Sequence, residues 1–449
     1  MAPVRDDPAR SPSEDPLIRE RRIAALVSIE DSLSLVRELA SLGPRTGGTA
    51  SGERALSLTA GRLRDMGLAV EFIEDPAVAI HEARSWSVTL DGLPIDSAHP
   101  WIHSPGLSPV TLPLRLDPDG GEAAPGGGPP PVPPGDAASL KGSVVLTSRD
   151  MRTGWKALHA LGASAVLTGF PSSGDSYREW AFIGELSSRD AAPEIPVFGL
   201  SHDDLRALRE AHRSRGEAVP IGLSLVARNV RGSPRTIVGR LEGAGVRAGR
   251  SIIVCAHGDA DGGGPGADDN ASGIAALVEV ARALAGAHGE GWLPANRPRV
   301  LFIVWGKEIH SSTAWVRARE AELGDIEAVV NFDQVGTGTL YEAIYYEGND
   351  IPWNRTLLRT IESVARDHAG REGMWTRHTS NPALGGTDAY AFLPEDHAGF
   401  GLTSWRSRPP RSSPPPGALR CVSRRPAGGD PRGGRKHTTP APARRRNPS

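Results

Sequence analysis

The sequence predicts an α/β fold in which a mostly parallel mixed sheet is flanked by helices and a small β-rich domain is inserted. Between residues 250 and 333, three apolar runs of strand length alternate with segments of helical periodicity, as in parallel sheets covered by helices. Between residues 90 and 226 the pattern changes to short strand-like runs separated by Gly and Pro. The length of 449 residues is enough for two or three domains.

The main domain is predicted to begin with residues 18–89. The preceding residues, 1–17, are polar and expected to be disordered. Apolar residues recur at spacings of three and four over the next 25 or so positions, which predicts one helix that stops at Gly43-Pro44. The predicted elements of this part are a helix from Ile18 to about Leu42, a helix over Ala55–Met66 and a strand over Leu68–Phe72.

The inserted domain is predicted over residues 90–226. Its Pro- and Gly-rich stretch, residues 117–136, cannot form a core and is expected to be a loop. The strands predicted in and just before this domain are Trp86–Leu90, Val110–Leu116, Gly142–Thr147, Ala165–Thr168 and Pro196–Leu200, with helices at Trp155–Leu161 and Ser201–His212.

The main domain is predicted to resume over residues 227–400. Its expected strands are Ile252–Ala256, Val300–Trp305 and Ala328–Phe332, and its expected helices are Ser272–Leu284 and Thr313–Glu322. Ligands bind beyond the carboxyl ends of the strands in such sheets. His257, Glu308 and Asp333 each follow one of the three strands closely, so they are the first candidates for a functional site.

Charge and cysteine content exclude several classes of protein. Residues 401–449 contain twelve Lys and Arg and one acidic residue, whereas the whole chain has a net charge of −2, so the first 400 residues are acidic and are not expected to bind nucleic acid. Two cysteines, Cys255 and Cys421, do not indicate a disulfide framework. We expect no membrane span and, from the polar start of the chain, no signal peptide and a cytoplasmic location.

Each candidate residue also has a purely structural explanation. Asp268, Asp269 and Asn270 open the predicted helix and are more simply helix caps. Glu308 could pair with Lys307, and Asp333 could be a turn carboxylate. One His and two carboxylates at separate strand ends nevertheless suit catalytic zinc, and a nearby glutamate could take a proton from the water that such a metal activates. Asp259, two residues after His257, is placed to orient the imidazole.

Three motifs in this order resemble the co-catalytic zinc aminopeptidases: AHGDADGGGPGADDNASG, FIVWGKE and VVNFDQVG. That family includes bacterial leucyl aminopeptidase, plasma glutamate carboxypeptidase and, more distantly, glutaminyl cyclase. GSVVLTSRD, ALGASAVLTG and EIPVFGLSHDDL resemble the protease-associated domain that members often carry, and LGPRTGGTASG resembles the family's amino-terminal segment. The resemblance covers residues 18–400 and implies a zinc exopeptidase fold; relatives are often exported.

The resemblance also implies a role for each matched residue. His257 and Asp333 match zinc ligands, Asp269 the aspartate that bridges two metals, and Glu308 the general base. Asp259 matches the carboxylate beside the ligand histidine. The resemblance is incomplete at Ile309, where the family has a second, metal-binding glutamate, and in the carboxyl-terminal region, where His437-Thr438 is only a faint match for the last ligand histidine.

In the family, the second glutamate and the last histidine bind the same metal. The resemblance therefore implies one complete zinc site and one doubtful site in this chain. His310 is a possible substitute ligand, although a surface histidine is the simpler interpretation. Asp388, in GGTDAYAF, is a possible partner of substrate or metal. The ten prolines of residues 401–449 predict a disordered tail, and the sudden change of composition after Phe400 is also what a shift of reading frame would produce.

The sequence therefore predicts a zinc-dependent aminopeptidase that hydrolyses amino-terminal residues from peptides, and loss of one metal site would impair this activity. Two alternatives remain. One is a catalytically inactive homologue that binds peptides or protein partners, and the other is a one-zinc enzyme that cyclises amino-terminal glutamine. Residue preference and oligomeric state are not predicted.

Overall fold

The structure of the protein is a computed structural model. The residues that it describes are 16–118, 140–149, 151–168, 192–216, 219–260, 265–336, 343–348, 355–368, 377–382, 387–392, 401–402 and 405–406, all within the compact unit 1–419. The predictions made for residues 1–15, for most of the Pro-rich loop, for Cys421, for His437 and for the rest of 407–449 lie outside the described residues.

Helices and strands alternate through most of the described chain. The helices are α1 Pro16–Ala24, α2 Ile29–Ala40, α3 Ala50–Asp65, α4 Met151–Ala160, α5 His202–Arg215, α6 Gly273–Gly289, α7 His310–Ala318 and α8 Arg355–His368. The strands are β1 Ala69–Glu74, β2 Val78–Leu90, β3 Leu93–Pro94, β4 His99–Pro100, β5 Leu107–Leu116, β6 Val144–Thr147, β7 Ala165–Thr168, β8 Val197–Gly199, β9 Pro220–Gly232, β10 Arg235–Leu241, β11 Ser251–His257, β12 Arg299–Trp305, β13 Ile326–Asn331, β14 Ala343–Gly348, β15 Arg377–Pro382, β16 Gly401–Leu402 and β17 Trp405–Arg406.

The main sheet has six strands in the order β1-β10-β12-β11-β13-β16. Strands β12, β11, β13 and β16 run parallel, whereas β10 and β1 add antiparallel strands at one edge. The predicted mostly parallel, mixed sheet is therefore confirmed. Strand β10, between β1 and β12, was not predicted, because antiparallel pairing depends on contacts with residues far away in the chain.

Both faces of the main sheet are covered, which explains the continuous apolar runs of its central strands. Val254, Ala256, Phe302 and Val304 point to one face, where α2, α3 and α6 supply Leu39, Leu63 and Leu277 to the same core. Alternate residues such as Cys255 and Trp305 point to the other face, where Trp315 of α7 and Phe392 complete an aromatic cluster. This packing fixes the strands whose carboxyl ends carry the candidate site.

A second sheet contains eight strands in the order β3-β2-β9-β5-β6-β7-β8-β4. Its longest strands, β2 and β9, form an antiparallel pair. Along the chain, β2 follows β1 of the main sheet and β9 precedes β10 of the main sheet. Both strands extend beyond the predicted boundaries at 90 and 226, because β2 begins at Val78 and β9 ends at Gly232. A third sheet contains three strands in the order β15-β14-β17.

Several predicted elements differ in their bounds. The single helix expected from Ile18 to Leu42 is two helices, since Ser28 interrupts it as the N-cap of α2 and accepts a hydrogen bond from Asp31 N. The helix expected over Thr313–Glu322 is α7 followed by a 3₁₀ turn, Glu320–Asp325. Ordered structure also continues past the predicted tail boundary at 400, because β16 pairs with β13. No helix in the described part of the chain is long and apolar enough to cross a membrane.

Candidate metal centre

The carboxyl ends of three parallel strands bring the main candidates together. In the register of the sheet, His257 lies opposite Trp305, and Cys255 lies opposite Asn331. Glu308 and Asp333 follow Trp305 and Asn331 by three and two residues, so their side chains lie above the same edge as His257. One potential ligand atom from each of His257, Glu308 and Asp333 lies within 4.8 Å of the others, and all three residues are buried.

Two buried atoms of this group lack hydrogen-bond partners and face each other. They are His257 Nε2 and Asp333 Oδ1, which are 3.5 Å apart. Asp269 Oδ1 approaches the same imidazole nitrogen at 3.0 Å. An imidazole nitrogen and carboxylate oxygens are ligands that zinc accepts, and buried polar atoms without partners are costly unless something binds them. The donor set therefore fits a divalent metal such as zinc.

Asn270 holds the Asp269 loop against the loop after β13. Its Nδ2 donates to Phe332 O at 2.9 Å, and its Oδ1 accepts from Gly273 N at 3.0 Å and from Gln334 N at 3.2 Å. Gln334 Nε2 in turn donates to Asp269 Oδ2 at 2.9 Å. The capping interpretation thus applies to Asn270, at the start of α6, whereas the Asp269 carboxylate lies beside His257.

Asp259 contacts the imidazole of His257. His257 Nδ1 lies 3.1 Å from Asp259 Oδ1, and an ionised carboxylate can only accept, so Nδ1 carries the hydrogen and Nε2 is left for a ligand. The same Oδ1 accepts from the backbone N–H of Glu308 at 3.0 Å. One buried carboxylate therefore positions both the candidate ligand His257 and the candidate base Glu308.

Burial dominates the electrostatics of Glu308. Removal from water raises the pKa of this carboxyl well above its usual value; His257 opposes the rise, whereas Asp333, Asp269 and Asp388 add to it. Glu308 is also near enough to His257 and Asp333 to be counted with them as a metal-binding group. Geometry alone thus allows Glu308 to be either a metal ligand or a base. If Glu308 is the base, Asp269, whose Oδ1 lies 3.0 Å from His257 Nε2, can be the ligand in its place.

The two tentative residues lie in different surroundings. His310 Nε2 is 2.8 Å from the carbonyl oxygen of Pro76, and the residue is not in the group that could hold a metal. Asp388 is fully buried; its Oδ1 accepts from Ile309 N at 2.8 Å, and its Oδ2 has no hydrogen-bond partner. Burial raises the pKa of Asp388 to about 7. Ile309 itself has a φ of 59°, which is unusual for a β-branched residue.

Sequence reasoning missed several residues that position this group. Thr387 Oγ1 donates to Asp333 Oδ2 at 2.8 Å and accepts from Asn331 Nδ2 at 2.6 Å. The buried guanidinium of Arg45 donates to the carbonyl oxygens of Pro265 and Gly266, which precede the Asp269 turn. The only sequence signals were the positions of Arg45 in LGPRTGGTASG and of Thr387 in GGTDAYAF.

Parts of this chain are similar in sequence to known proteins. The sequence model of Peptidase family M28 matches residues 236–411. An aminopeptidase of Pseudomonas aeruginosa (strain UCBPP-PA14) is 35% identical over 153 residues, a match that covers 32% of this chain and 25% of that protein. The match thus spans about a quarter of the length of that curated relative.

Solved structures are similar over most of the chain. The zinc aminopeptidase BSAP from Bacillus subtilis has a TM-score of 0.59 at 22% identity and covers 86% of both chains. A Peptidase M28 precursor from Shewanella amazonensis SB2B has a TM-score of 0.60 at 17% identity, with 86% of this chain and 87% of that chain covered. Such identities indicate a shared fold. Residues 236–411 of this chain therefore match the model of Peptidase family M28, and the chain has a fold similar to those of these two proteins.

Proposed function

We propose that this protein is a zinc-dependent aminopeptidase that removes amino-terminal residues from peptides. The observation that carries this proposal is the pair of buried, unpartnered atoms His257 Nε2 and Asp333 Oδ1, which face each other beside Glu308. The match to a peptidase family supports hydrolysis, and the aminopeptidase relatives support an amino-terminal substrate.

His257, Asp269 and Asp333 are the proposed zinc ligands. Zinc, when bound there, supplies Lewis acidity toward the scissile carbonyl and the attacking water. Asp259 keeps the hydrogen on His257 Nδ1, and Asn270 with Gln334 keeps Asp269 near His257 Nε2. These contacts fix the ligands before a metal arrives, which reduces the cost of ordering them on binding.

Glu308 is the proposed general base. Its raised pKa makes the carboxylate a stronger proton acceptor than an exposed glutamate, and its backbone N–H is anchored on Asp259. In the proposed reaction Glu308 takes a proton from the attacking water and then gives it to the departing amine. A buried site also limits competing water around that proton transfer.

We propose that the site binds a single zinc ion. Ile309 replaces the carboxylate that the family uses for a second metal, and His310 is directed to Pro76 instead. Without a second metal, the substrate's free ammonium group needs another partner. We assign that role to Asp388, because its Oδ2 has no hydrogen-bond partner.

The test is hydrolysis of aminoacyl chromogenic substrates by the zinc-loaded protein, with the N-acetylated substrates as a matched control. Cleavage of the free-amine substrates alone supports an aminopeptidase, and cleavage of neither, by a protein that retains zinc, contradicts it.

A second candidate reaction at the proposed one-zinc site is cyclisation of amino-terminal glutamine. A glutamine-led peptide separates the two reactions. Mass spectrometry would detect loss of ammonia from an intact peptide after cyclisation, and a shortened peptide after hydrolysis. An unchanged peptide that still binds the protein would instead favour a non-catalytic peptide-binding role.

We also propose that the eight-stranded sheet belongs to a protease-associated domain. Strands β6, β7 and β8 and the start of α5 lie within the segments GSVVLTSRD, ALGASAVLTG and EIPVFGLSHDDL, on which that resemblance rests. Limited proteolysis within the long β2–β9 pair would release this unit as a stable fragment if it folds independently.

A further inference from the structure

Gln334 bonds one oxygen of the Asp269 carboxylate, and His257 contacts the other. Asp269 Oδ1 lies 3.0 Å from His257 Nε2, whereas Asp269 Oδ2 accepts a hydrogen bond from Gln334 Nε2 at 2.9 Å. Gln334 follows the candidate ligand Asp333 directly in the chain, but its side chain reaches Asp269, which lies 65 positions earlier. The carboxylate is thus held between an imidazole on one side and a neutral amide on the other.

The backbone of Gln334 is fixed on the loop that contains Asp269. Three consecutive backbone N–H groups, beginning with that of Gln334, donate to side chains on either side of Asp269. The bonds are Gln334 N to Asn270 Oδ1 at 3.2 Å, Val335 N to Ser272 Oγ at 3.0 Å and Gly336 N to Asp268 Oδ1 at 3.1 Å. Gln334 has a φ of 53°, a strained conformation that persists where surrounding contacts enforce it. The place of its side chain beside Asp269 is therefore defined by the fold.

The amide of Gln334 occupies the oxygen that a second contact with metal would need. A carboxylate can bind metal through one oxygen, give both oxygens to one ion, or give one oxygen to each of two ions. The last two arrangements both use Oδ2, which the amide contacts at 2.9 Å. An amide NH₂ group is a hydrogen-bond donor and does not bind metal, so the contact provides no ligand in exchange. Asp269 therefore offers Oδ1 alone to a metal beside His257.

We infer that Gln334 restricts the candidate site to one metal, because its amide occupies Asp269 Oδ2 and leaves only Oδ1 of that carboxylate for zinc. This cause is separate from the replacement of a carboxylate by Ile309. Gln334 is a positioning residue in this role, since it acts through Asp269. The inference rests on the proposed function for the zinc site, whereas the hydrogen bond from Gln334 to Asp269 does not depend on it.

The first test is NMR of the Gln334 side chain. Gln334 is the only glutamine in the sequence, so ¹⁵N labelling of the glutamine amide gives one isolated signal. In the zinc-free protein, D269A should shift this signal to the position of an exposed glutamine, and the control N296A should leave it unchanged. One equivalent of zinc added to the wild type should leave the amide bonded, because Asp269 then binds zinc through Oδ1 while Oδ2 stays on Gln334.

The second test is zinc per chain in Q334E, measured by equilibrium dialysis against buffered zinc. This isosteric change puts a carboxylate oxygen where the amide nitrogen now lies 2.9 Å from Asp269 Oδ2. Two oxygens that bind the same zinc, each about 2.1 Å from it, lie about 3 Å apart. We expect about two zinc ions per chain in Q334E and about one in the wild type. The matched control is N296D, which adds the same charge at an exposed asparagine.

Three results would overturn the inference. The first is a Gln334 signal that is the same in the wild type and D269A, and the second is a signal that moves to the exposed position when zinc is added. The third is a zinc content in Q334E no higher than in N296D. If Q334E does not fold, the effect of zinc on the wild-type signal still decides the inference. A wild type that binds no zinc would defeat the proposed function, while the comparison with D269A would still decide whether Gln334 holds Asp269.

Discussion

Asn270 provides the most quantitative test of how the site is held together. Its side chain makes three hydrogen bonds to backbone groups, Phe332 O, Gly273 N and Gln334 N, across two loops. In N270A those three backbone groups lose their partner. At about 1 kcal/mol for each hydrogen bond, the free energy of unfolding should fall by about 3 kcal/mol, which is about a 150-fold change in the folded-to-unfolded ratio.

The assay for N270A is urea unfolding of the zinc-free protein, followed by circular dichroism. Asn296 offers a matched control, because its Oδ1 accepts one exposed hydrogen bond, from Arg247 N. We expect N296A to lose less than about 1 kcal/mol. Zinc affinity should also fall in N270A, because the hydrogen bond from Gln334 N to Asn270 Oδ1 keeps Gln334 where its side chain bonds Asp269. If N270A is as stable as N296A and its zinc affinity is unchanged, the three hydrogen bonds of Asn270 do not stabilise the site.

Two further predictions concern the proposed base and a buried histidine. Glu308→Gln should retain zinc while turnover falls by about 10²–10⁴-fold, because the amide cannot accept the proton; equal turnover in the variant would remove Glu308 from the mechanism. Burial, and then the neighbouring His103, lowers the pKa of His81 from 6.5 to about 4, so this residue contributes stability above pH 6.5 that is lost as pH falls through about 4. Over that window the free energy of unfolding, measured with urea, should fall by about 3 kcal/mol in the wild type and by less in H81Q. H159Q is the control, because the His159 side chain is 41% exposed. An identical pH profile in H81Q would be inconsistent with this prediction.

The central strands could be predicted closely because their signal is local. Strands β11, β12 and β13 are continuous apolar runs, and their observed bounds differ from the predicted ones by one or two residues. Parallel pairing then aligns their carboxyl ends, which is why His257, Glu308 and Asp333 could be expected together. The contact between Asp259 and His257 is also local, since only Gly258 separates them.

Other features depend on contacts between distant residues and have no local signal. Thr387 bonds Asp333 across more than fifty positions, and Asn270 bonds Phe332 across more than sixty. The strands β9 and β10 were missed for the same reason, because their pairing partners lie far away in the chain. The break between α1 and α2 is different: Ser28 followed by Ile29, Glu30 and Asp31 is a capping signal that could have been recognised.

The most direct measurement is zinc per chain, by elemental analysis of protein purified without added metal and again after zinc is offered. We expect about one zinc per chain, lost in His257→Ala and retained in His310→Ala, since His310 bonds the carbonyl oxygen of Pro76 instead. No bound zinc in the wild type under either condition would contradict the proposed metal centre, and with it the proposed aminopeptidase.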